Sequence, residues 1–260
     1  MAELAAQGRQ PEILFWVGCA GSFDMRAQKI TASFARILLA AGIDFAILGS
    51  EESCTGDPAK RAGNEFVYQM SALANIEVLN GYGVKKIVTT CPHCFNILKN
   101  EYPELGGNYE VLHHSQLLQQ LLEAGRITIE GGAFEGKTIT YHDSCYLGRG
   151  NGVYEVPRAV LASLDASLVE MERNRRHAVC CGAGGGQIFK EAEKGTHEVY
   201  EERTKDITAT GCDIVATPCP FCMLMFRDGV KSADKEDAIA VKDLSELIWE
   251  AMQKGSSSSA

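Results

Sequence analysis

The chain has 260 residues, 45% hydrophobic and 23% charged, a balance that suits a globular protein of one large or two smaller domains. Its net charge of -9 is not offset by any local run of Lys and Arg, which argues against nucleic-acid binding and leaves room for a basic redox partner. Met1 to Pro11 lacks the apolar core of a secretory signal, and the longest apolar stretch, Ala32 to Leu48, is broken by Arg36 and Asp44. The expectation is a soluble, cytoplasmic chain whose ten cysteines stay reduced, with no membrane span of its own and membrane association only through partner subunits.

Ile13 to Val17 is a short apolar run ending at Gly18-Cys19 and reads as a buried strand. A helical pattern follows from Met25 to Ala41, stopped by Gly42. Phe45 to Leu48 reads as a strand, the loop Ser50 to Asp57 carries Cys54, and a long helical segment is predicted from Pro58 towards Tyr82. Lys86 to Thr90 is a strand that runs directly into Cys91-Pro92-His93-Cys94, and helix 95–103, strand Tyr109 to Leu112 and helix Ser115 to Ala124 follow.

The order then recurs. Strand Thr138 to Tyr141 leads to His142-Asp143-Ser144-Cys145, and helix Val156 to Leu164 and strand Ser167 to Met171 lead to Cys180-Cys181 and a glycine-rich run, Gly182 to Gly186. A helix from Gln187 to Ala209, strand Ile214 to Thr217, Cys219-Pro220-Phe221-Cys222, helix 223–232, strand Ile239 to Val241 and helix Asp243 to Met252 complete it. Cys19 to Cys145 spans 126 positions, Cys54 to Cys181 spans 127, and both Cys91 to Cys219 and Cys94 to Cys222 span 128. So small a drift marks a duplication. The fold class is α/β: two pseudo-symmetric Rossmann-like halves, residues 12–130 and 136–253, each a mainly parallel sheet with crossover helices. Residues 254–260, rich in serine, read as a disordered tail.

In such sheets the cysteines sit just beyond the carboxyl ends of strands, where α/β proteins bind ligands. A Cys-x-x-Cys there could be a redox pair, half a zinc site or part of an iron–sulfur site. A redox pair needs no satellites, whereas each pair here comes with an upstream Cys and a middle Cys in equivalent positions. The second half offers five thiols, Cys145, Cys180, Cys181, Cys219 and Cys222, one more than tetrahedral zinc uses. The first offers four, Cys19, Cys54, Cys91 and Cys94, with Ser53 in the place of Cys180. Four thiolates suit zinc or a conventional cluster equally. Cys212 falls outside the pattern and reads as a small buried hydrophobe.

The glycine run after Cys181 lacks dinucleotide-binding spacing and reads instead as backbone, Gly182 and Gly184 included, that approaches a cluster closely. His142 and His93 adjoin candidate ligands, as proton donors or as structural histidines, and His113-His114 follow a strand end without an assigned role. Arg149, Arg175, Arg176 and His177 form a modest basic set around the second motif.

The pattern Cys-x34-Cys-Cys-Gly followed by Cys-Pro-x-Cys resembles the CCG domain, the cysteine-rich domain of heterodisulfide reductases and their relatives. Phe15 to Ser22 and Thr89 to Asn96 look like the soluble part of membrane reductases that exchange electrons with electron-transfer flavoproteins. The resemblance implies a non-cubane [4Fe–4S] cluster on Cys145, Cys180, Cys181, Cys219 and Cys222, with chemistry centred on Cys180, Cys181 and His142. Ser53 departs from the full motif, which leaves a second iron–sulfur cluster or zinc open at the first site. The expected function is an iron–sulfur electron-transfer subunit, an oxidoreductase that relays electrons or reduces a disulfide or quinone within a larger complex of iron–sulfur, flavoprotein or membrane cytochrome subunits. The alternatives are a zinc-binding structural scaffold and a self-sufficient disulfide reductase.

Overall fold

In a computed structural model of the chain, which describes residues 1–191 and 194–257, each half builds one four-stranded sheet. The first half runs α1 (Ala2–Ala6), β1 (Ile13–Trp16), α2 (Gly18–Phe23), α3 (Ala27–Ala40), β2 (Phe45–Ala46), α4 (Asp57–Arg61), α5 (Glu65–Gly81), β3 (Lys86–Thr89), α6 (Pro92–Asn96), β4 (Glu110–His113) and α7 (His114–Glu123). The second runs β5 (Thr138–Tyr141), α8 (Gly148–Asn151), α9 (Glu155–Ala162), β6 (Ser167–Leu168), α10 (Val199–Ala209), β7 (Ile214–Thr217), α11 (Pro220–Ser232), β8 (Ala240–Asp243) and α12 (Leu244–Ser257). The strand orders, β2-β1-β3-β4 and β6-β5-β7-β8, are the same, and every pairing is parallel. Parallel neighbours require crossovers on the sheet faces, so β1 and β7, inside their sheets, are buried throughout, while the edge strand β6 is exposed. All four residues of β1 are buried.

The side-chain alternation of β1 splits it between two cores. Leu14 and Trp16 join a cluster with Cys94, Cys181, Cys219 and Phe226, while Ile13 and Phe15 join one with Phe34, Leu118, Tyr141 and Leu247. Each core draws on both halves, so the duplication forms one body. Helix α3 packs on α12, and α7 on α9, across the seam. Arg26 of the first half reinforces it by a two-pronged contact with Glu246 at 2.7 Å.

Helix boundaries moved where turn chemistry intervened. The long helix expected from Pro58 is two: Gly63 adopts φ +81°, and Asn64 caps α5 by accepting from Val67 N at 3.1 Å. The helix expected from Gln187 begins only at Val199, where Glu198 and Glu201 form a reciprocal cap, and Gly185 and Gly186 hold positive φ just before a short 3-10 turn, Gln187–Phe189. The helices after both Cys-Pro-x-Cys motifs start at the proline, Pro92 and Pro220, whose fixed φ and missing N–H suit the first helical position. In the first half that helix passes into a π turn, Ile97–Glu101. Residues 254–257, expected in a tail, belong to α12, and 258–260 lie outside the described residues. No helix among the described residues is long and apolar enough to cross a membrane.

Candidate metal centres

Strand ends place all five thiols of the second half together. Cys145 follows β5, Cys180 and Cys181 lie in the loop after β6, and Cys219 and Cys222 bracket the start of α11. The loop after β5 is pinned by Asp143, a buried carboxylate that accepts from Arg158 at 2.8 and 2.9 Å and from Arg175 N at 2.7 Å. The thiols of Cys181 and Cys222 are 3.2 Å apart, those of Cys145 and Cys180 4.0 Å, and Gly182 N donates to Cys180 Sγ at 3.3 Å. A ring nitrogen of His142 lies within 4.8 Å of the Cys181 and Cys222 sulfurs. Donation from Cys145 and Cys181 holds the Cys180 thiol far below the ordinary range, and that from Cys145 in turn pushes Cys145 up. Burial drives Cys219 and Cys222 upward. Thiols that must share protons in this way form a donor set that a cationic centre would relieve.

The first half repeats the plan with other pins. Cys19 opens α2, Cys54 lies in the loop after β2, and Cys91 and Cys94 bracket the start of α6. Here the loop after β1 is held by Glu52, which accepts from Val17 N at 3.0 Å and Gly18 N at 2.6 Å; burial pushes its carboxyl up to about 7. Cys54 is exposed, and donation from Cys19 lowers it to about 6. Ser53 turns its hydroxyl to Asn75 Oδ1 at 2.9 Å. A cleft of about 430 Å³, open mouth included, is lined by Cys19, Cys54 and Cys94 together with Trp16, and by Ala183 and Phe221 of the other half.

The two sets meet through equivalent residues. Cys91 and Cys219, at matching positions of the repeat, are buried in the same core, and each shifts the titration of the other. His93 stacks on its own counterpart, Phe221, with centroids 5.4 Å apart at 23°, and sits edge-on to Tyr146. Beside them His113 Nδ1 accepts from Ser115 N, so its Nε2–H donates to Pro218 O at 3.0 Å, and His114 reaches Asp243 Oδ1 at 3.1 Å. Cys91, Cys94, Cys181, Cys219 and Cys222 share one buried core with Cys19 and Cys180 packed against it, so the nine cysteines form a belt that crosses the seam.

Of the other residues singled out from sequence, Gly182 is required by its φ of +90° and its packing against Val199, while Gly184 faces the site: a Cβ there would lie 3.8 Å from Cys145 Sγ. Cys212 is buried apart from the belt, against Ile207 O. Arg149 braces the cysteine loop through Ala178 O, Arg175 pairs with Glu155 at 2.7 Å, and Arg176 and His177 are exposed. The sequence reading missed Glu52, Asn75, Trp16 and Arg203. The last three could have been found by carrying the repeat through: Trp16 falls opposite His142, and Asn75 opposite Arg203, both pairs buried.

The residues fit an iron–sulfur group. All nine thiols are free, soft ligands at strand ends. Gly18, at φ +77°, leaves open a space whose Cβ would lie 3.4 Å from Cys94 Sγ. Two buried N–H donors beside the sets, Trp16 Nε1 and His142 Nε2, lack any partner among the described residues.

Two parallel-sheet halves pooling thiols along a shared seam define a duplicated cysteine-rich α/β protein. The model of the CCG cysteine-rich domain matches residues 13–99 and 139–227, and the chain belongs to that family. It is 42% identical over 256 residues to the EtfAB:quinone oxidoreductase of Syntrophomonas wolfei, covering 96% of this chain and 36% of that protein. It is 44% identical over 247 residues to the probable iron-sulfur-binding oxidoreductase FadF of Bacillus subtilis, covering 95% and 35%. With one of the subunits of the dihydromethanophenazine:CoB–CoM heterodisulfide reductase of Methanosarcina barkeri it shares 38% over 248 residues, covering 93% and 59%. The chain thus spans from about a third to three fifths of these relatives, all of them named as oxidoreductases or their subunits.

Proposed function

We propose that the chain is an iron–sulfur electron-transfer module of a larger redox complex. Cys145, Cys180, Cys181, Cys219 and Cys222 hold a [4Fe–4S] cluster of non-cubane type, and Cys19, Cys54, Cys91 and Cys94 hold a second iron–sulfur cluster. When bound, these groups supply one-electron reduction and oxidation. The observation that carries the reading is the single buried core that holds Cys91 and Cys94 together with Cys181, Cys219 and Cys222, because it brings the two sets side by side. Electron transfer weakens steeply with distance, so adjacent sets suit a relay, whereas a zinc scaffold needs no such adjacency.

The chain's own residues fix the sets. Asp143 and Glu52 pin the two loops, Gly182 N and Gly56 N donate to Cys180 and Cys54, and the core formed by both halves excludes water from Cys91, Cys94, Cys181, Cys219 and Cys222. The exposed edge at Cys54 and the cleft beside it is where electrons or a small acceptor reach the belt. Partner subunits, an electron-transfer flavoprotein among them, supply the donor and acceptor, a disulfide or quinone, and hold the module at a membrane.

Anaerobically isolated protein is expected to contain about four irons per cysteine set with matching acid-labile sulfide. Redox titration followed by EPR is expected to resolve two centres. The isolated chain should show little disulfide turnover with an artificial reductant. Zinc without sulfide at both sets would overturn the reading in favour of a structural scaffold.

A further inference from the structure

Three equivalent positions of the repeat differ together. The first half has Trp16, Ser53 and Asn75 where the second has His142, Cys180 and Arg203. In the first half Asn75 accepts from Ser53 and donates to Cys54 O, so the hydroxyl that replaces a thiol is turned into the protein. In the second half Arg203, fully buried, aims its Nε at His142 Nδ1 over 3.2 Å. A guanidinium can only donate, so Nδ1 is the acceptor and the ring proton resides on Nε2. That Nε2–H is buried without a partner among the described residues, on a ring that has one of its nitrogens within 4.8 Å of the Cys181 and Cys222 sulfurs. Trp16 carries a second buried N–H with no partner among the described residues, and its side chain lines the cleft together with Cys19, Cys54 and Cys94.

A buried N–H without an acceptor is destabilising, and these two orphan donors occupy the same position of the repeat at the two thiol sets. We propose that Trp16 and His142 are positioning residues that each donate an N–H to the sulfur of their own centre, and that Arg203 fixes the His142 tautomer and makes its donor the stronger one. A hydrogen bond to cluster sulfur stabilises the extra negative charge of the reduced form and so raises the potential. Arg203 polarises the imidazole and adds a buried positive charge behind it, with Nη1 held by Asp206 at 2.8 Å and by Arg173 O at 2.6 Å. The first half has the neutral Asn75 at that place. The C-terminal centre is therefore the more readily reduced relative to an otherwise identical environment, and electrons favour it.

This inference rests on the iron–sulfur reading, and its test separates the two. Trp16→Phe and His142→Phe remove one N–H each while keeping a ring, and the double variant His142→Phe/Arg203→Met spares the second from leaving a buried guanidinium unpaired. Iron and sulfide content, with EPR-monitored redox titration of anaerobic protein, are the readouts. The expected result is full cluster content and a shift of only the matching centre to lower potential, at least tenfold in the reduction equilibrium, or about 59 mV for a one-electron couple. Arg203→Lys, which keeps the charge, should shift the C-terminal centre less than Arg203→Met. Unchanged potentials at full cluster content overturn the inference and leave the functional reading standing. Loss of the C-terminal centre in both His142 variants also overturns it, since His142 would then be a ligand. Wild-type protein that takes up no iron and sulfide overturns the functional reading itself.

Discussion

In the C-terminal half the loop after the first strand is pinned by its own Asp143, whereas in the N-terminal half the pin, Glu52, reaches over from the loop after the second strand. Asp143 is matched by Arg158, which also holds Glu170, so the charge is paired as it is buried. Among the described residues Glu52 is held by backbone N–H groups, and burial pushes it up to about 7. The halves also differ inside their sites, with Arg203 behind one and Asn75 behind the other. Duplication thus preserved the strand ends that place the thiols, while the polar residues that brace and tune them diverged. The scaffold dictates where the thiols stand, and the residues that brace them differ between the two sets.

The most severe way to break the comparison is to remove a ligand from one half. Cys181→Ala should abolish the C-terminal centre and leave the N-terminal EPR signal, and Cys54→Ala should do the reverse. Loss of both signals from either change would show that the belt assembles as one unit. Next come the pins. Asp143→Ala strands a buried guanidinium and should destabilise by about 3 kcal/mol, the low end for a broken buried pair because Arg158 keeps Glu170. Glu52→Gln, which keeps a neutral acceptor, should change stability by only about 1 kcal/mol. Chemical denaturation of the two variants measures the gap directly.

A smaller effect distinguishes the seam from either half. Burial, with the neighbouring His114, holds the His113 ring neutral well below 6.5. The unfolded chain takes up a proton there that the native one refuses, so this contribution is complete above about pH 6.5 and is lost as pH falls. Stability should decline by about 1.4 kcal/mol per pH unit on this account below that point, and His113→Gln should remove that share of the slope. Denaturation curves at about pH 7 and about pH 5 test it. The mildest change sharpens the comparison by making the halves alike. Ser53→Cys breaks the bond to Asn75, for about 1 kcal/mol of stability, and gives the first half the adjacent pair of the second. Its EPR spectrum should move towards that of the C-terminal centre if the fifth thiol sets cluster type.

Strand positions and the repeat were legible because buried parallel strands are short apolar runs and the thiols follow them at matched intervals. Every one of the eight strands was anticipated, although β2 and β6 are shorter than their apolar runs because only two residues of each pair with a neighbour. Helix α10 was misplaced at its start because the glycine-rich run after Cys181 and the Glu198 cap override a helix-compatible composition. His113 and His114 had no visible role, since their partners, Pro218 and Asp243, belong to the other half.

By itself the sequence determined the duplication and the parallel topology, because buried parallel strands are short apolar runs and a repeat shows in simple spacing. Only the tertiary structure decided that Cys91 and Cys219 share one core, that His93 stacks on Phe221 and that Arg203 orients His142. Those contacts depend on how two amphipathic faces pack across a seam, and no local periodicity or propensity encodes which buried polar groups will then find each other.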